Sequence, residues 1–191
     1  AVIADNQAGL EGAGVFIPSG GLEVHMLHTT LTRNGGGDGS GISIGELNPE
    51  QPVPSIVTIT NTILDSQDVG IHVKNDSVLT VNGILWHNTP ITLSQSPTAT
   101  VLVENQITGA PAFLSVEDYH IGATSAARDA GVDTGVIVDI DGQIRPMGLG
   151  YDQGADEASA PALSVSNRPS VPFVNRGQVI LYTLDVTNIG A

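Results

Sequence analysis

Gly14-Val15-Phe16-Ile17, Gly41-Ile42-Ser43-Ile44, Gly70-Ile71-His72-Val73 and Pro90-Ile91-Thr92-Leu93 are four copies of one short alternating frame. Each is followed by a second alternating stretch: His28-Thr29-Thr30-Leu31, Thr60-Asn61-Thr62-Ile63, Val81-Asn82-Gly83-Ile84 and Glu104-Asn105-Gln106-Ile107. Aligning Ile63 with Ile84 gives a step of 84 − 63 = 21 residues, and Ile84 with Ile107 gives 107 − 84 = 23. The longer interval from Leu31 to Ile63 contains a polar insertion, Gly45 to Pro54. At the N-terminus, Ile3 falls in register with Leu31 and Asn6 with Asn34. A unit of about twenty residues with period-2 strands cannot bury its apolar face alone, whereas stacked units share a continuous core. The expected fold is all-β: a right-handed parallel β-helix solenoid over residues 1–115, entered part-way through a turn of the solenoid.

Composition agrees with short strands and frequent turns. The 191 residues include 23 Gly, 11 Pro, no Cys and only 4% aromatics, with many Val, Ile and Thr. No disulfide can hold such a chain, so aliphatic stacking and ladder hydrogen bonds must. The repeats resemble the right-handed parallel β-helix family, the pectate-lyase-like superfamily in the broad sense. That superfamily spans lyases, glycosidases, tailspikes and adhesins, so the resemblance implies a fold and not a chemistry. Leucine-rich repeats share the period, but their Leu-rich consensus is missing.

Six Lys plus Arg against twenty Asp plus Glu give a formal charge of −14. That balance argues against nucleic-acid backbones and anionic membranes as partners, and against a polyanionic substrate unless a cation bridges the two. No run of about eighteen apolar residues is present, and no signal peptide opens the chain. A secreted protein would then be represented by a mature or excised piece.

Asn61, Asn82 and Asn105 occupy one frame position and are expected to form a side-chain amide ladder at the strand spacing of about 4.8 Å. From Glu117 to Glu157 the pattern changes to four blocks: Asp118-Tyr119-His120-Ile121-Gly122, Ser125 to Gly131, Asp139 to Pro146, and Gly150 to Glu157. These blocks resemble the C-terminal segment that follows β-helices in the choice-of-anchor Q family of bacterial surface proteins, with Ala127-Arg128 as the departure. Physically the segment, residues 116–158, reads as a cap over the solenoid end, with Arg145 bridging a nearby carboxylate. Asp139, Asp141, Asp152, Asp156 and Glu157 are candidate Ca²⁺ ligands, although Asp-x-Asp-Gly falls short of the full calcium-loop pattern. No other cofactor is implied.

Residues 159–191 comprise a small-residue linker and two more alternating stretches, Leu163 to Pro169 and Gly177 to Asn188. They resemble the opening strands of the conserved-repeat β-sandwich found in tandem on bacterial surface proteins, with Asn167-Arg168 where that module has Lys. Two strands make an incomplete sandwich, so Leu163, Val165, Val179, Leu181, Leu184 and Val186 are expected to be assembly positions that seek partner strands. The partners are neighbouring domains of a longer chain or further copies.

Catalysis on a β-helix needs carboxylates about 5–9.5 Å apart in a groove, or bound Ca²⁺ with a basic side chain. The acids of residues 1–115 are scattered, and only Arg33 and Lys74 are basic there. His25 and His28 lie three apart on a strand and so diverge, and His72 and His87 have no acidic neighbour in register by this alignment. Solvated histidines are expected. Trp86 and His87 form a candidate glycan-stacking patch, and Asn75-Asp76-Ser77 is a glycosylation sequon at Asn75. The chain thus reads as an extracellular structural or adhesive bacterial surface protein, with a filament subunit as one form. A carbohydrate-binding module and a polysaccharide lyase or hydrolase are the alternatives.

Overall fold

A computed structural model describes residues 1–47, 53–159, 163–171, 173 and 175–188. In chain order the strands are β1 (Val2–Ala4), β2 (Gln7–Ala8), β3 (Val15–Ile17), β4 (Glu23–Leu27), β5 (Thr30–Thr32), β6 (Gly35–Gly36), β7 (Ser40–Ile44), β8 (Ile56–Asp65), β9 (Val69–Val73), β10 (Val78–His87), β11 (Ile91–Gln95), β12 (Thr100–Thr108), β13 (Leu163–Pro169) and β14 (Tyr182–Asn188). No helix occurs among the described residues, and the fold is all-β with parallel sheets. The chain divides into two compact units, residues 1–158 and 159–191.

In the first unit, β1, β5, β8, β10 and β12 pair in parallel in that order, and β4 pairs with the first half of β8. A second parallel sheet runs β3, β7, β9, β11, and β2 pairs with β6. Strand residues recur because Val, Ile and Thr at alternate positions suit a pleated, half-buried surface. Ile42 pairs with Val15 and Ile71, and Ile71 with Leu93, which makes one aliphatic column. Ile3, Leu31, Leu64 and Trp86 make another in the larger sheet. Residues of both sheets share one core, with Ile42, Ile44, Val57, Ile59, Leu79 and Val81 fully buried.

The register corrects the alignment made on sequence. From β8 through β10 to β12 the step is constant: Ile56 pairs Val78 and Val78 pairs Thr100, so 78 − 56 and 100 − 78 both equal 22, whereas Ile3 to Leu31 spans 31 − 3 = 28 and Leu31 to Leu64 spans 64 − 31 = 33. Leu85, and not Ile84, stands between Ile63 and Ile107. Leu31 pairs with Leu64 and not Ile63, while Ile3 does pair with Leu31. Pro90-Ile91-Thr92-Leu93 is displaced by two residues, because Ile91 pairs Val69 and Leu93 pairs Ile71. Within the insertion, residues 48–52 lie outside the described residues.

The cause of the one-residue slip is a left-handed backbone position. His28, Asn61, Gly83 and Asn105 have φ of 46°, 51°, 83° and 49° and line up across neighbouring strands. Gly and Asn are the residues that tolerate this region, so Gly83 is the counterpart of the two asparagines and Asn82 is not. The expected three-member ladder is therefore not built. Asn105 Nδ2 donates to Asn82 Oδ1 at 2.7 Å, but Asn61 turns elsewhere. Asn6 and Asn34 do meet, with Asn6 Nδ2 donating to Asn34 Oδ1 at 2.8 Å.

Residues 116–158 also depart from expectation. They lie along the face of the larger sheet and touch successive strands, instead of covering the edge of the last one. Ile63 and Leu85, with Ile107, pack against Ile121, Ala127 and Phe113. Doublets such as Ile63-Leu64 and Leu85-Trp86 are both buried because both faces of the sheet are covered there. Gly154 donates its amide to Asn61 O at 2.8 Å and Ala155 its amide to Thr30 Oγ1 at 3.0 Å, while Arg33 donates Nη2 to Val116 O at 2.8 Å. A solenoid end was expected to need a cover, but the apolar face presented by residues 63, 85 and 107 is the larger need.

The second unit is an antiparallel pair of β13 and β14, with Val165 opposite Val186 and Asn167 opposite Leu184. Val179 and Leu181 precede β14, so the strand is shorter than Gly177 to Asn188.

Candidate functional site

Three short segments of the lateral cover converge on His120. A bridge between Phe113 and Ile121, with the Leu114 amide donating to His120 O at 2.9 Å, sets the first segment. A turn held by the Val138 and Ile144 bridge delivers Asp141. Asp139 organises that turn: its Oδ1 accepts from the amides of Asp141 and Gln143 at 2.9 and 2.8 Å, and its Oδ2 from that of Glu157 at 3.1 Å. The third segment brings Asp156, buried, with Oδ2 accepting from the Ile121 amide at 2.7 Å.

His120 lies between two carboxylates. Its Nδ1 meets Asp118 Oδ1, and its Nε2 meets Asp141 Oδ2 at 2.5 Å. The hydrogen bond to Asp118 first, and that to Asp141 next, outweigh the opposing effect of partial burial and raise its pKa to about 9. His120, Asp141 and Asp156 each offer a ligand atom, all within 4.8 Å of one another.

The five candidate calcium ligands do not converge: among the described residues, only Asp141 and Asp156 of the five offer oxygens to one common site. Asp152 is buried and accepts from the amides of Asp129 and Ala158 at 2.6 and 2.7 Å; burial still pushes its pKa up to about 6. Glu157 is committed to Arg145, whose Nη1 donates to Oε2 at 2.7 Å, with both side chains fully buried. Arg145 also donates to the carbonyls of Gly154 and Ala155 at 3.0 and 2.7 Å. Asp139, Asp152 and Glu157 thus satisfy backbone amides and one guanidinium, as irregular backbone buried against a sheet requires.

Asn61 is the chief tie between sheet and cover. Its Oδ1 accepts from the Val132 amide at 2.8 Å and its Nδ2 donates to Val132 O at 2.6 Å. His28 stands beside it, buried, with Nε2 3.1 Å from Asn61 Nδ2 and 2.9 Å from Thr134 Oγ1. Burial, and then the charge of Arg145, push the His28 pKa down to about 4. The unfolded chain takes up a proton near the ordinary value of 6.5, which the folded chain does not until about pH 4. This contribution to stability is intact above pH 6.5 and is lost as pH falls from 6.5 towards 4. His28→Asn, which keeps a residue tolerant of the left-handed backbone, does not titrate. The stability of the wild type relative to this variant is expected to decline between pH 7 and pH 4.5 in urea melts, and a constant difference contradicts the assignment.

The remaining candidates move. Trp86 is only 4% exposed, packs in the core and donates Nε1 to Gln106 Oε1 at 3.2 Å, so its face is not offered to a sugar. Paired with Leu64 and Thr108, it belongs to the inward set. His87 pairs in register with Asp65, and its Nδ1 is 2.8 Å from Asp65 Oδ1. His72 Nδ1 likewise meets Asp38 Oδ2 at 3.3 Å. The slipped alignment hid the acidic neighbour of His87, whereas Asp38 reaches His72 from the turn before β7 and not from a register position, and His28 is buried where a solvated histidine was expected. Asn75 is exposed in the turn after β9, with Nδ2 donating to Glu46 Oε1 at 2.7 Å.

In the hairpin, Val165, Tyr182, Leu184 and Val186 are 57–62% exposed and share one side of the pair. The opposite side carries Ser166 and Arg168, which donates Nη2 to Asp185 at 2.8 Å. Of the expected assembly positions, Val165, Leu184 and Val186 lie on the apolar side. Val179 and Leu181 fall on the other parity and outside the strand. No protein-family model, curated protein or solved structure matches this chain.

Proposed function

We propose that this chain belongs to an extracellular structural or adhesive surface protein of a bacterium, built as a right-handed parallel β-helix with a lateral cover and a C-terminal assembly hairpin. The 22-residue step shared by β8, β10 and β12, two parallel sheets on one core and the near-universal right-handedness of parallel crossovers support the solenoid. The resemblance of residues 117–157 to the choice-of-anchor Q segment supports a place on the cell surface. A charge of −14 and the absence of cysteine fit an extracellular scaffold that needs no disulfide.

The observation that carries the assembly role is the two-sided hairpin. An isolated pair of strands is marginal in water, and this one presents its apolar side to solvent. Burial of that side by partner strands would complete a sandwich, either on a neighbouring module or on a further copy. Sedimentation and electron microscopy of the full chain test this. The wild type is expected to form ordered oligomers or filaments, and Leu184→Asp with Val186→Asp to remain monomeric. A wild type that stays monomeric at high concentration would overturn assembly between copies.

A further inference from the structure

We infer that His120, Asp141 and Asp156 form a binding site for a divalent transition ion of the zinc class, with Asp118 as the group that orients the imidazole. The ligand atoms of all three lie within 4.8 Å of one another. Ligands about 2.0–2.1 Å from a tetrahedral metal are roughly 3.3 Å apart, so small side-chain rotations suffice to close the set. His120 Nε2 already faces Asp141 Oδ2 at 2.5 Å, and a metal would take the place of the proton held between them.

Two further features separate this site from a solvated acidic surface. Asp118 sits on the other ring nitrogen of His120, the arrangement by which metal-ligating histidines are fixed in tautomer and orientation. Asp156 is only 4% exposed, and its one hydrogen bond among the described residues comes from the Ile121 amide, through Oδ2. A buried carboxylate with a single neutral donor calls for a cation beside it, and the imidazolium now fills that role.

The donor set selects the ion. One imidazole nitrogen with two carboxylates suits zinc and its neighbours, whereas Ca²⁺ takes six to eight oxygens and gains little from a nitrogen. Asp141 is exposed, so the fourth position opens to solvent and would hold water or a ligand group from outside. The three ligands come from three segments that are otherwise irregular, so the ion would pin them together.

Titration of the full chain with Zn²⁺ alone, by calorimetry and by equilibrium dialysis, tests the site. One ion per chain is expected, with Co²⁺ giving visible d–d bands when it is substituted. Asp141→Asn alters an exposed side chain and should fold as the wild type does by circular dichroism, yet weaken Zn²⁺ more than tenfold. Asp118→Asn should weaken it about 10–100-fold through the loss of imidazole orientation. Zn²⁺ binding that survives both substitutions, binding at several weak sites only, or Ca²⁺ bound as tightly as Zn²⁺ would overturn the assignment.

Discussion

Arg145→Ala is expected to destabilise the first unit by about 3–5 kcal/mol, because it leaves the Glu157 carboxylate buried without its partner. The guanidinium also serves the carbonyls of Gly154 and Ala155, which would lose their donors together with it. Lysine offers a point charge where a planar fork spans a carboxylate and the main chain, so Arg145→Lys should recover only a small part of the loss. Denaturant melts supply the magnitude. Hydrogen exchange supplies the location: the amides of Gly154, Ala155 and Glu157 should lose protection before those of β8 and β10. A loss below about 1 kcal/mol would mean that the lateral cover is not held by this pair.

Ile71→Ala should cost about 2–5 kcal/mol, the range for truncating a fully buried aliphatic in a core that cannot collapse. Ile71 lies in the column between Ile42 and Leu93, and both sheets limit relaxation around it. Ile91→Ala provides the contrast. Ile91 is about half exposed at the edge strand and should cost well under half as much, as urea midpoints would show. Equal losses at the two positions would contradict the placement of the core.

These two residues also show what could be read from the sequence alone. Gly14-Val15, Gly41-Ile42 and Gly70-Ile71 were legible as one frame because alternation and a preceding glycine mark the same point on three strands. Pro90-Ile91 imitated that frame two residues early. A shift of two keeps every side chain on its face, so the period-2 pattern does not betray it. Asn82 misled for a different reason: side-chain identity suggested a ladder, whereas the backbone selects for the left-handed region, in which Gly83 replaces asparagine.

The candidate site was half legible. Asp141 and Asp156 stand out as acids in turn-rich blocks, but Asp139, Asp152 and Glu157 look the same in sequence and serve backbone amides and Arg145. His120 was visible as part of a motif, yet nothing local shows that it faces Asp141 across 21 residues. Trp86 read as an outward aromatic because the one-residue slip inverted its face. The direction of the lateral cover depends on which sheet face is apolar, and that follows only once Ile63, Leu85 and Ile107 are set in one row.

The parallel stack rests on the register of its strands, 22 residues apart from β8 to β10, and engineered thiols test that register most directly, since the chain contains no cysteine. Thr58 and Thr80 pair in register on partly exposed positions of β8 and β10. Adjacent strands lie about 4.8 Å apart, within the Cα separation that a disulfide spans. Thr58→Cys with Thr80→Cys should cross-link rapidly under mild oxidation and give a shifted band on a non-reducing gel. Thr58→Cys with Leu79→Cys, whose second thiol faces the core, should not. Cross-linking of the second pair in preference to the first would contradict the register, and with it the stacked scaffold on which the proposed function stands.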